Sequence, residues 1–527
     1  MTLKSSRKLG FFAALSMLVS SVVGIGIFFK NQSVADITGY NGYAWLFAWI
    51  IGGIISLFAA ITFSEISFLK PTKLNGLPNW AWQTAGKKMG YAVLFNYSFY
   101  YSGILSIVLG FFSSEITIFF LQTAGADINV PVWGHLIIGT VFCIFFTSLN
   151  YISIKTSGWI ALASTILKFI PLVFAVFAGI LFPKTYNAGG SNAFVQTATN
   201  SFNFAKLILA LPPVLFAYDS FLSVGSIHNR IEKANKRVPI IIIVGMIIIA
   251  VVYTLIGLSS ALHNQGTISG LISDVFPKSS AKSISIFVGF FLLISTYGVT
   301  NSLSATYVNS VTDLVKLNAI VGALSLKKKM SQAKVTIFYL AIILFFWALI
   351  IYIPSVSVPF PSANNSGSGY GTDVVVDSMS NFPTLIFMWV YMAVIIAYAR
   401  KRKQLMDSSK QINKTLFWTA AIISSILIFT AMIAYIYAQI DAVTNEKNSS
   451  SGSGVFAANG LILTNQGNFL ILIFHLFVFS TLPFINYLLI KIVDKINVLD
   501  YFSASEIENL ASEIENLESK TATRTQT

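Results

Sequence analysis

The chain has few charged side chains and almost no cysteine. Of its 527 residues, 10% are charged and 55% are hydrophobic, whereas a soluble domain averages about 25% charged residues. Such a chain cannot cover a water-exposed surface of its own, which excludes a soluble enzyme and a nucleic-acid-binding protein. The single cysteine, Cys143, excludes a disulfide framework and a CxxC metal site. The four histidines have no metal-ligand spacing, so we expect no metal and no cofactor.

Long apolar runs dominate the sequence instead. Each is long enough to cross about 30 Å of hydrocarbon as a helix. Hydropathy therefore predicts an all-α polytopic membrane protein with about twelve transmembrane helices. The predicted spans are residues 10–29, 43–69, 91–121, 134–153, 157–182, 203–227, 238–261, 283–314, 334–353, 383–399, 415–439 and 467–490.

The basic residues are concentrated in alternate connections between these spans. If the N-terminus is cytoplasmic, 27 of the 34 lysines and arginines lie in cytoplasmic segments, and six, including Lys30, lie on the other side. Cytoplasmic loops of membrane proteins carry such an excess. We therefore expect a multi-pass plasma-membrane protein with both termini in the cytoplasm. The net charge of +14 indicates topology rather than an acidic partner.

The connections and the tail have a different composition. Residues 362–371 and 448–454 are rich in Gly, Ser and Asn, which is typical of flexible loops. The tail contains the segments SEIENLA and SEIENLE. Two heptad-like units are too few to predict a coiled coil.

Two of the predicted spans contain helix-breaking residues. The first has Gly24 and Gly26 at its centre, and the sixth has Pro212 and Pro213 followed by Asp219. Glycine loosens a helix, and proline removes a backbone donor. Unpaired backbone groups at membrane depth are tolerated where they line a cavity. We predict two interrupted helices at a binding site; close packing at the glycines and a proline kink with a protonated Asp219 are the alternatives.

The two interrupted spans are five helices apart. An odd offset places equivalent helices in opposite orientations, as expected for inverted repeats around a central site. The segments at these breaks resemble the amino acid–polyamine–organocation superfamily of permeases. The resemblance rests on Gly24-Ile25-Gly26-Ile27-Phe28, Phe216-Ala217-Tyr218-Asp219-Ser220-Phe221, the second-span segment Ser64-Glu65-Ile66-Ser67 and the charged loop NRIEKANKRVP at 229–239. Members of that family often carry glycine at the position of Ser220.

The resemblance implies a five-plus-five inverted repeat (LeuT-like) followed by two extra helices. The implied divisions are a cytoplasmic N-terminus (1–9), two repeats (10–182 and 203–399), two further helices (415–490) and a cytoplasmic tail (491–527). It also implies secondary active transport of an amino acid by alternating access, with proton coupling expected. An amino acid exchanger and a nutrient sensor of the same fold are the alternatives, and an enzyme is not expected. The implied partners are the amino acid, protons and membrane lipids.

The same resemblance places the substrate between the two breaks. Its carboxylate would meet backbone N–H groups of Val23, Gly24, Ile25 and Gly26, and exposed amides at a helix N-terminus do form anion sites. Its ammonium would meet carbonyls of Val22, Val23, Phe216 and Ala217. Its side chain would point towards the sixth-span break, formed by Tyr218, Asp219 and Ser220, and towards the third, eighth and tenth spans.

Lys168 lies in the middle of the fifth span with no acidic residue within ten positions. A lysine at this depth is costly unless it has a function. In some permeases similar to this chain, a lysine here bridges the first and eighth spans where sodium-coupled relatives bind a cation. The resemblance therefore implies either a proton carrier or a fixed surrogate for sodium. A lysine that only hydrogen-bonds first-span carbonyls is the alternative.

The other polar residues in the spans leave alternatives open. An ionised Asp219 in the site would favour a cationic side chain, whereas a second possibility is that it orients a neutral substrate or stabilises the break. We expect Glu65 to be an interhelical partner. Tyr97, Tyr100 and Tyr101 on the third span could line the cavity, with packing as the alternative. Ser295, Thr296 and Thr300 on the eighth span could meet Lys168 or the substrate.

Overall fold

The structure is a computed structural model. It describes residues 9–23, 25–69, 74–182, 192–195, 201–227, 231–357, 359–361, 368–370, 374–407, 410–445 and 465–500. Nearly all of these residues are helical, so the chain is an all-α polytopic protein, as predicted.

The first five spans are formed by seven helices and a π-helical turn. The short helix α4 (Gly76–Ala85) lies between the second and third spans. Helix α5 (Lys87–Phe95) joins α6 (Ser102–Ala124) through the π-helical turn Asn96–Tyr101. The spans are α1 (Phe11–Val22) with α2 (Ile25–Ile37), α3 (Gly42–Ile66), α5 with α6 (Ser102–Ala124), α7 (Val132–Ile152) and α8 (Ile154–Leu181).

The remaining spans follow the same pattern, with two short helices between them. The sixth span is divided into α9 (Phe204–Leu209), α10 (Leu211–Tyr218) and α11 (Ser223–Ser226). The others are α12 (Ala234–His263), α14 (Lys278–Lys316), α16 (Gln332–Ser357), α17 (Val374–Leu405), α18 (Lys414–Asn445) and α19 (Asn465–Val493), with α13 (Ile268–Val275) and α15 (Ala323–Lys327) in the connections.

Within the described residues, eleven helices are long and apolar enough to cross a membrane. The first span is not among these eleven, because its interruption divides it into two helices of 12 and 13 residues; with it, the number of spans is twelve. The number of predicted spans therefore agrees with the structure. The division into two inverted repeats stays a prediction.

Two of the predicted loops lie largely outside the described residues. Strand β1 (Pro359–Pro361) pairs in antiparallel fashion with β2 (Ser368–Tyr370), so part of the expected flexible loop 362–371 is a strand. Residues 448–454, the tail from 501 onwards and the N-terminal residues 1–8 are outside the described part of the chain.

Polar side chains cap several of the helices. The first N–H groups of a helix have no partner within it, and an Asn, Ser or Thr oxygen can accept from them. Asn41 accepts from the N–H of Ala44 at the start of α3, and Thr267 accepts from Gly270 in α13. These caps fix where the spans begin.

A single amide holds the second half of the first span in place. Asn31, in α2, accepts from the indole N–H groups of Trp45 and Trp49 at 2.9 and 3.0 Å. Its own N–H₂ group donates to Ser260 and to the carbonyl of Gly266. A buried amide with these partners is fully satisfied, and it joins α2 to α3 and α12.

Lys30 is not in an outer loop, so its predicted position is wrong. It lies in α2, which continues to Ile37 rather than ending at residue 29, and it is completely buried. Its ammonium donates to Ser380 at 2.9 Å and lies 4.8 Å from the ring centre of Phe216. An aromatic face attracts a cation, and hydropathy contains no term for such a partner. The correction removes one of six residues from the less basic side and leaves the charge asymmetry unchanged in direction.

A buried ion pair ties α3 to α17, where we had expected Glu65 to be an interhelical partner. Its carboxylate accepts from the Nε and Nη2 of Arg402 at 2.7 and 2.9 Å, and from the hydroxyl of Tyr398 at 2.8 Å. The backbone N–H of Ile412 completes the set. Both ionised side chains are buried, and the carboxylate has donors on both oxygens.

Removing one member of a buried pair strands the other charge, so Glu65→Ala should lower the free energy of unfolding by about 3–5 kcal/mol. The measurement is the thermal unfolding of the detergent-purified protein. Asp407→Ala is the control. Asp407 forms an exposed ion pair with Lys410 at 3.7 Å, and such surface pairs contribute about 0–1 kcal/mol to stability. Equal losses in the two variants would contradict a structural role of the Glu65 pair.

Candidate functional site

The first span is interrupted between Val22 and Ile25. Val23 has extended backbone angles (φ −78°, ψ 117°), and its N–H makes the last hydrogen bond of α1. Gly24 and the side chain of Ile25 lie outside the described residues. Because the helical ladder stops here, the carbonyls at the end of α1 need partners from elsewhere.

Lys168 supplies the main partner for these carbonyls. From α8 its ammonium donates to the carbonyl of Val23 at 2.5 Å and to the carbonyl and hydroxyl of Ser20 at 3.4 and 3.2 Å. The side chain is completely buried. A cation at a helix C-terminus is favoured by the helix dipole. Lys168 therefore caps α1 from a neighbouring helix.

All hydrogen bonds that Lys168 makes with described residues go to the first span. On the eighth span, Thr296 and Thr300 bond carbonyls of their own helix, and Thr300 also meets Ser113. The Ser295 hydroxyl is buried and has no hydrogen-bond partner among the described residues. The expected bridge from Lys168 to the eighth span is therefore not formed by hydrogen bonds in this structure.

The sixth span is interrupted after Tyr218. Asp219 is extended (ψ −177°), and Ser220 has a left-handed φ of 67°. A side chain at such an angle costs roughly 1–2 kcal/mol relative to glycine. The hydroxyl of Ser21 in α1 lies 2.8 Å from the carbonyl of Leu18 and 3.3 Å from the carbonyl of Ser220, so the end of α1 lies beside the second break.

Asp219 is the centre of a hydroxyl cluster. Its carboxylate accepts from Tyr101, from Thr384 at 2.9 Å and from Tyr391 at 3.0 Å. The side chain is 2% exposed. These three donors come from the third and tenth spans, and none of them is charged. The carboxylate thus ties the sixth-span break to both spans.

The π-helical turn Asn96–Tyr101 determines which tyrosine reaches Asp219. A π-helical turn contains an additional residue, which rotates the side chains that follow it relative to those before it. Tyr101 then hydrogen-bonds Asp219, and the ring of Tyr97 stacks on the ring of Tyr101 with ring centres 5.3 Å apart. Tyr100 hydrogen-bonds His475 at 2.7 Å. The sequence pointed to these tyrosines but did not distinguish them. It missed Thr384 and Tyr391, whose spacing of two helical turns on α17 was the available signal.

The two interrupted helices touch directly on either side of the breaks. A methyl group at Gly26 would lie 2.6 Å from Ala217 Cα and 2.8 Å from its Cβ, so α2 and α10 meet almost backbone to backbone. Between α1 and α11, the hydroxyls of Ser21 and Ser223 are 2.8 Å apart. Close packing and an interrupted helix, treated above as alternatives for the glycines of the first span, therefore occur together at Gly26.

A small cavity lies between the breaks. Its volume is about 20 Å³, which is room for roughly one water molecule. Ligand sites are commonly about 300–1,000 Å³, so an amino acid can enter only if the lining moves. The cavity is lined by Ser21, Val22, Gly26, Leu105, Leu109, Phe216, Asp219, Ser220, Val299, Leu303 and Thr384.

Some of the predicted substrate contacts are engaged elsewhere. The Val22 carbonyl accepts a hydrogen bond from the hydroxyl of Tyr253 at 2.9 Å, and the Val23 carbonyl accepts one from Lys168. Tyr218 points away from the cavity and donates to the carbonyl of Trp49. The predicted substrate roles of all these residues stay predictions.

The chain matches a family of known proteins. A model of the amino acid permease family matches residues 9–450 and so covers most of the chain, including both breaks. The chain belongs to the amino acid permease family. This family is one of permeases, and several of the relatives that the chain matches are amino acid transporters.

Three relatives show the range of this permease family. The chain is similar to the serine/threonine exchanger SteT of Bacillus subtilis, with 26% identity over 47% of this chain and 53% of the relative. It is 23% identical to the aspartate-proton symporter of the same organism over 48% of each. It is 21% identical to the human cystine/glutamate transporter over 56% of this chain and 58% of that protein. The chain thus spans about half the length of the relatives it matches.

Substituting Gly26 tests the contact between the interrupted helices of the permease. Gly26→Ala places a methyl group against backbone that cannot move aside, so we expect a destabilisation of about 1–3 kcal/mol and a loss of uptake. Gly289→Ala is the matched control, because its methyl group would meet only Phe120 at 3.4 Å. Uptake of a labelled amino acid and thermal unfolding are measured for both. Unchanged values for Gly26→Ala would contradict the close approach.

Proposed function

We propose that the chain is a secondary active transporter that moves an amino acid across the plasma membrane by alternating access, driven by a proton gradient. The observation that carries the proposal is the pair of interrupted helices in contact, with a buried lysine bonded to carbonyls at the end of the first. Free backbone groups at the centre of a membrane protein mark the substrate and ion sites of secondary transporters. Membership of the permease family supports the same conclusion.

We place the substrate carboxylate at the start of α2. Gly26 lines the cavity, and the first N–H groups of α2 have no partner within the helix, so they suit an anion. The carbonyl of Ala217 lies 3.4 Å from where a methyl group at Gly26 would be, so it faces the first break. The substrate ammonium can therefore be held by carbonyls of Phe216 and Ala217, and by the second lone pairs of Val22 and Val23.

We further propose that the substrate is a neutral amino acid. The cavity walls from the third and eighth spans are apolar (Leu105, Leu109, Val299 and Leu303), and its one acidic residue is already held by three hydroxyls. A cationic substrate side chain would have to displace at least one of those donors. Asp219 then stabilises the break and positions Tyr101 and Thr384, rather than binding a charge on the substrate.

Lys168 is proposed to carry the coupled proton. In its present position the ammonium is stabilised by three oxygen atoms at the end of α1. If α1 tilts away when the site opens, the ammonium loses these oxygens and is left in an apolar environment, where a charge is costly. Releasing its proton removes that cost. Movement of α1 and transfer of the proton are thereby coupled.

An exchanger is the second candidate. If Lys168 keeps its proton throughout, it only caps α1, and transport then depends on a second amino acid moving in the opposite direction. The serine/threonine exchanger among the relatives supports this alternative. Uptake of a panel of labelled amino acids into proteoliposomes separates the two. Accumulation that requires an inward proton gradient supports coupling, whereas uptake only into preloaded liposomes supports exchange.

Lys168→Ala should abolish gradient-driven accumulation, because no group remains at the end of α1 to bind and release the proton. The measurement is accumulation of labelled substrate with and without the gradient. Lys155→Ala is the matched control, since Lys155 is on the same helix but exposed, and it should accumulate substrate like the unaltered protein. Undiminished gradient-dependent accumulation by Lys168→Ala would overturn the proton role.

Asp219→Asn should slow uptake without changing the preference among substrates, because an amide keeps the shape but not all the hydrogen bonds of the carboxylate. Each hydrogen bond lost to the carboxylate should cost about 1.5–3 kcal/mol of stability, the range for bonds to a charged group, so Tyr391→Phe, which removes one bond, should show a smaller effect of the same kind. Competition by neutral and basic amino acids is measured in each variant. A preference for Lys or Arg that is lost only in Asp219→Asn would instead show a cationic substrate.

A further inference from the structure

A large groove lies on the outside of the bundle, away from the cavity between the breaks. It has a volume of about 710 Å³ and lies between the start of the third span, the tenth span and the twelfth span. Its lining is largely apolar: Met89, Ala92, Val93, Trp389, Val390, Met392, Ala393, Phe479, Pro483, Phe484 and Leu499, with Lys88, Tyr91, Asn96, Ser480 and Tyr487. Phe484, on its rim, is 62% exposed, so the groove opens sideways.

Two of the polar side chains that line the groove bond the third span to the twelfth. Pro483 has no N–H, so the carbonyl of Phe479 has no donor four residues later in α19. The amide of Asn96 donates to that carbonyl at 3.0 Å, and Tyr91 donates to the carbonyl of Pro483 at 3.2 Å. These bonds hold the third and twelfth spans together and leave an apolar surface suited to hydrocarbon.

Among the described residues, the lysines beside the groove lie at one end of it. Lys88 lines it and is exposed, and the ammonium of Lys491 lies 4.7 Å from the ring centre of Tyr487, another lining residue. From Lys88 to Asn96 the helix rises about 12 Å, close to the depth of one leaflet of a bilayer with about 30 Å of hydrocarbon. Charge lies where a headgroup would be, and apolar surface lies where acyl chains would be.

We propose that this groove binds an anionic phospholipid, with its phosphate between Lys88 and Lys491 and an acyl chain along Trp389 and Phe484. Lysines at the membrane surface attract anionic headgroups. Trp389, Met392 and Ala393 face the groove, while Thr384 and Tyr391 on the same helix bond Asp219. The lipid therefore contacts the back of the helix that holds the Asp219 cluster. The proposal is independent of which amino acid is transported.

Quenching of Trp389 fluorescence tests the proposal on the full chain. The protein is reconstituted with phosphatidylglycerol or phosphatidylcholine brominated in the acyl chains, at equal mole fraction in unbrominated lipid. The signal of Trp389 is the difference between the unaltered protein and Trp389→Phe. We expect stronger quenching by brominated phosphatidylglycerol, with each lysine contributing about a fivefold preference. Equal quenching by the two lipids would overturn the proposal.

Charge-removing variants locate the preference. Lys88→Gln with Lys491→Gln should abolish it, whereas Lys334→Gln, an exposed lysine at the start of α16, should retain it. A preference that survives the double variant overturns the site. Salt at about 1 M should reduce the preference in the unaltered protein, since screening is then strong, and this does not depend on any variant folding. A preference that appears only after residues 501–527 are deleted would identify the acidic tail as the occupant and overturn a lipid site.

Discussion

A helix that stops inside a membrane leaves backbone carbonyls and N–H groups that water cannot reach, and the centre of this molecule is built around satisfying them. At the first break, Lys168 and Tyr253 take the carbonyls of Val23 and Val22. At the second, Asp219 gathers hydroxyls from the third and tenth spans. The partners come from four different spans, so the requirements of two short breaks position a third of the bundle.

Much of this architecture could be predicted from the sequence because its causes are local. Apolar runs mark the spans, and Gly26 and the Pro212–Pro213 pair mark the breaks near which the chain departs from helical angles. The error at Lys30 has a clear reason. Hydropathy treats lysine as a residue that ends a span, whereas a ring and a hydroxyl from distant segments make a buried position for it.

The partners within the site were not predictable in the same way. Which of three tyrosines reaches Asp219 depends on a π-helical turn. Thr384 and Tyr391 lie 165 and 172 residues away from Asp219 in the sequence. The same is true of Arg402, which is 337 residues from Glu65. Sequence patterns give the face of one helix, but the rotation of two helices against each other follows from packing along their whole lengths.

The two contacts between the interrupted helices differ in kind. Between α2 and α10, Gly26 and Ala217 meet through backbone and a single methyl group, and separating them exposes tightly packed surface without any replacement. Between α1 and α11 the contact is a pair of hydroxyls, each of which can exchange its partner for water at little net cost. The contact between α1 and α11 is therefore the weaker of the two, and the buried ammonium of Lys168 is what restrains α1 beside it.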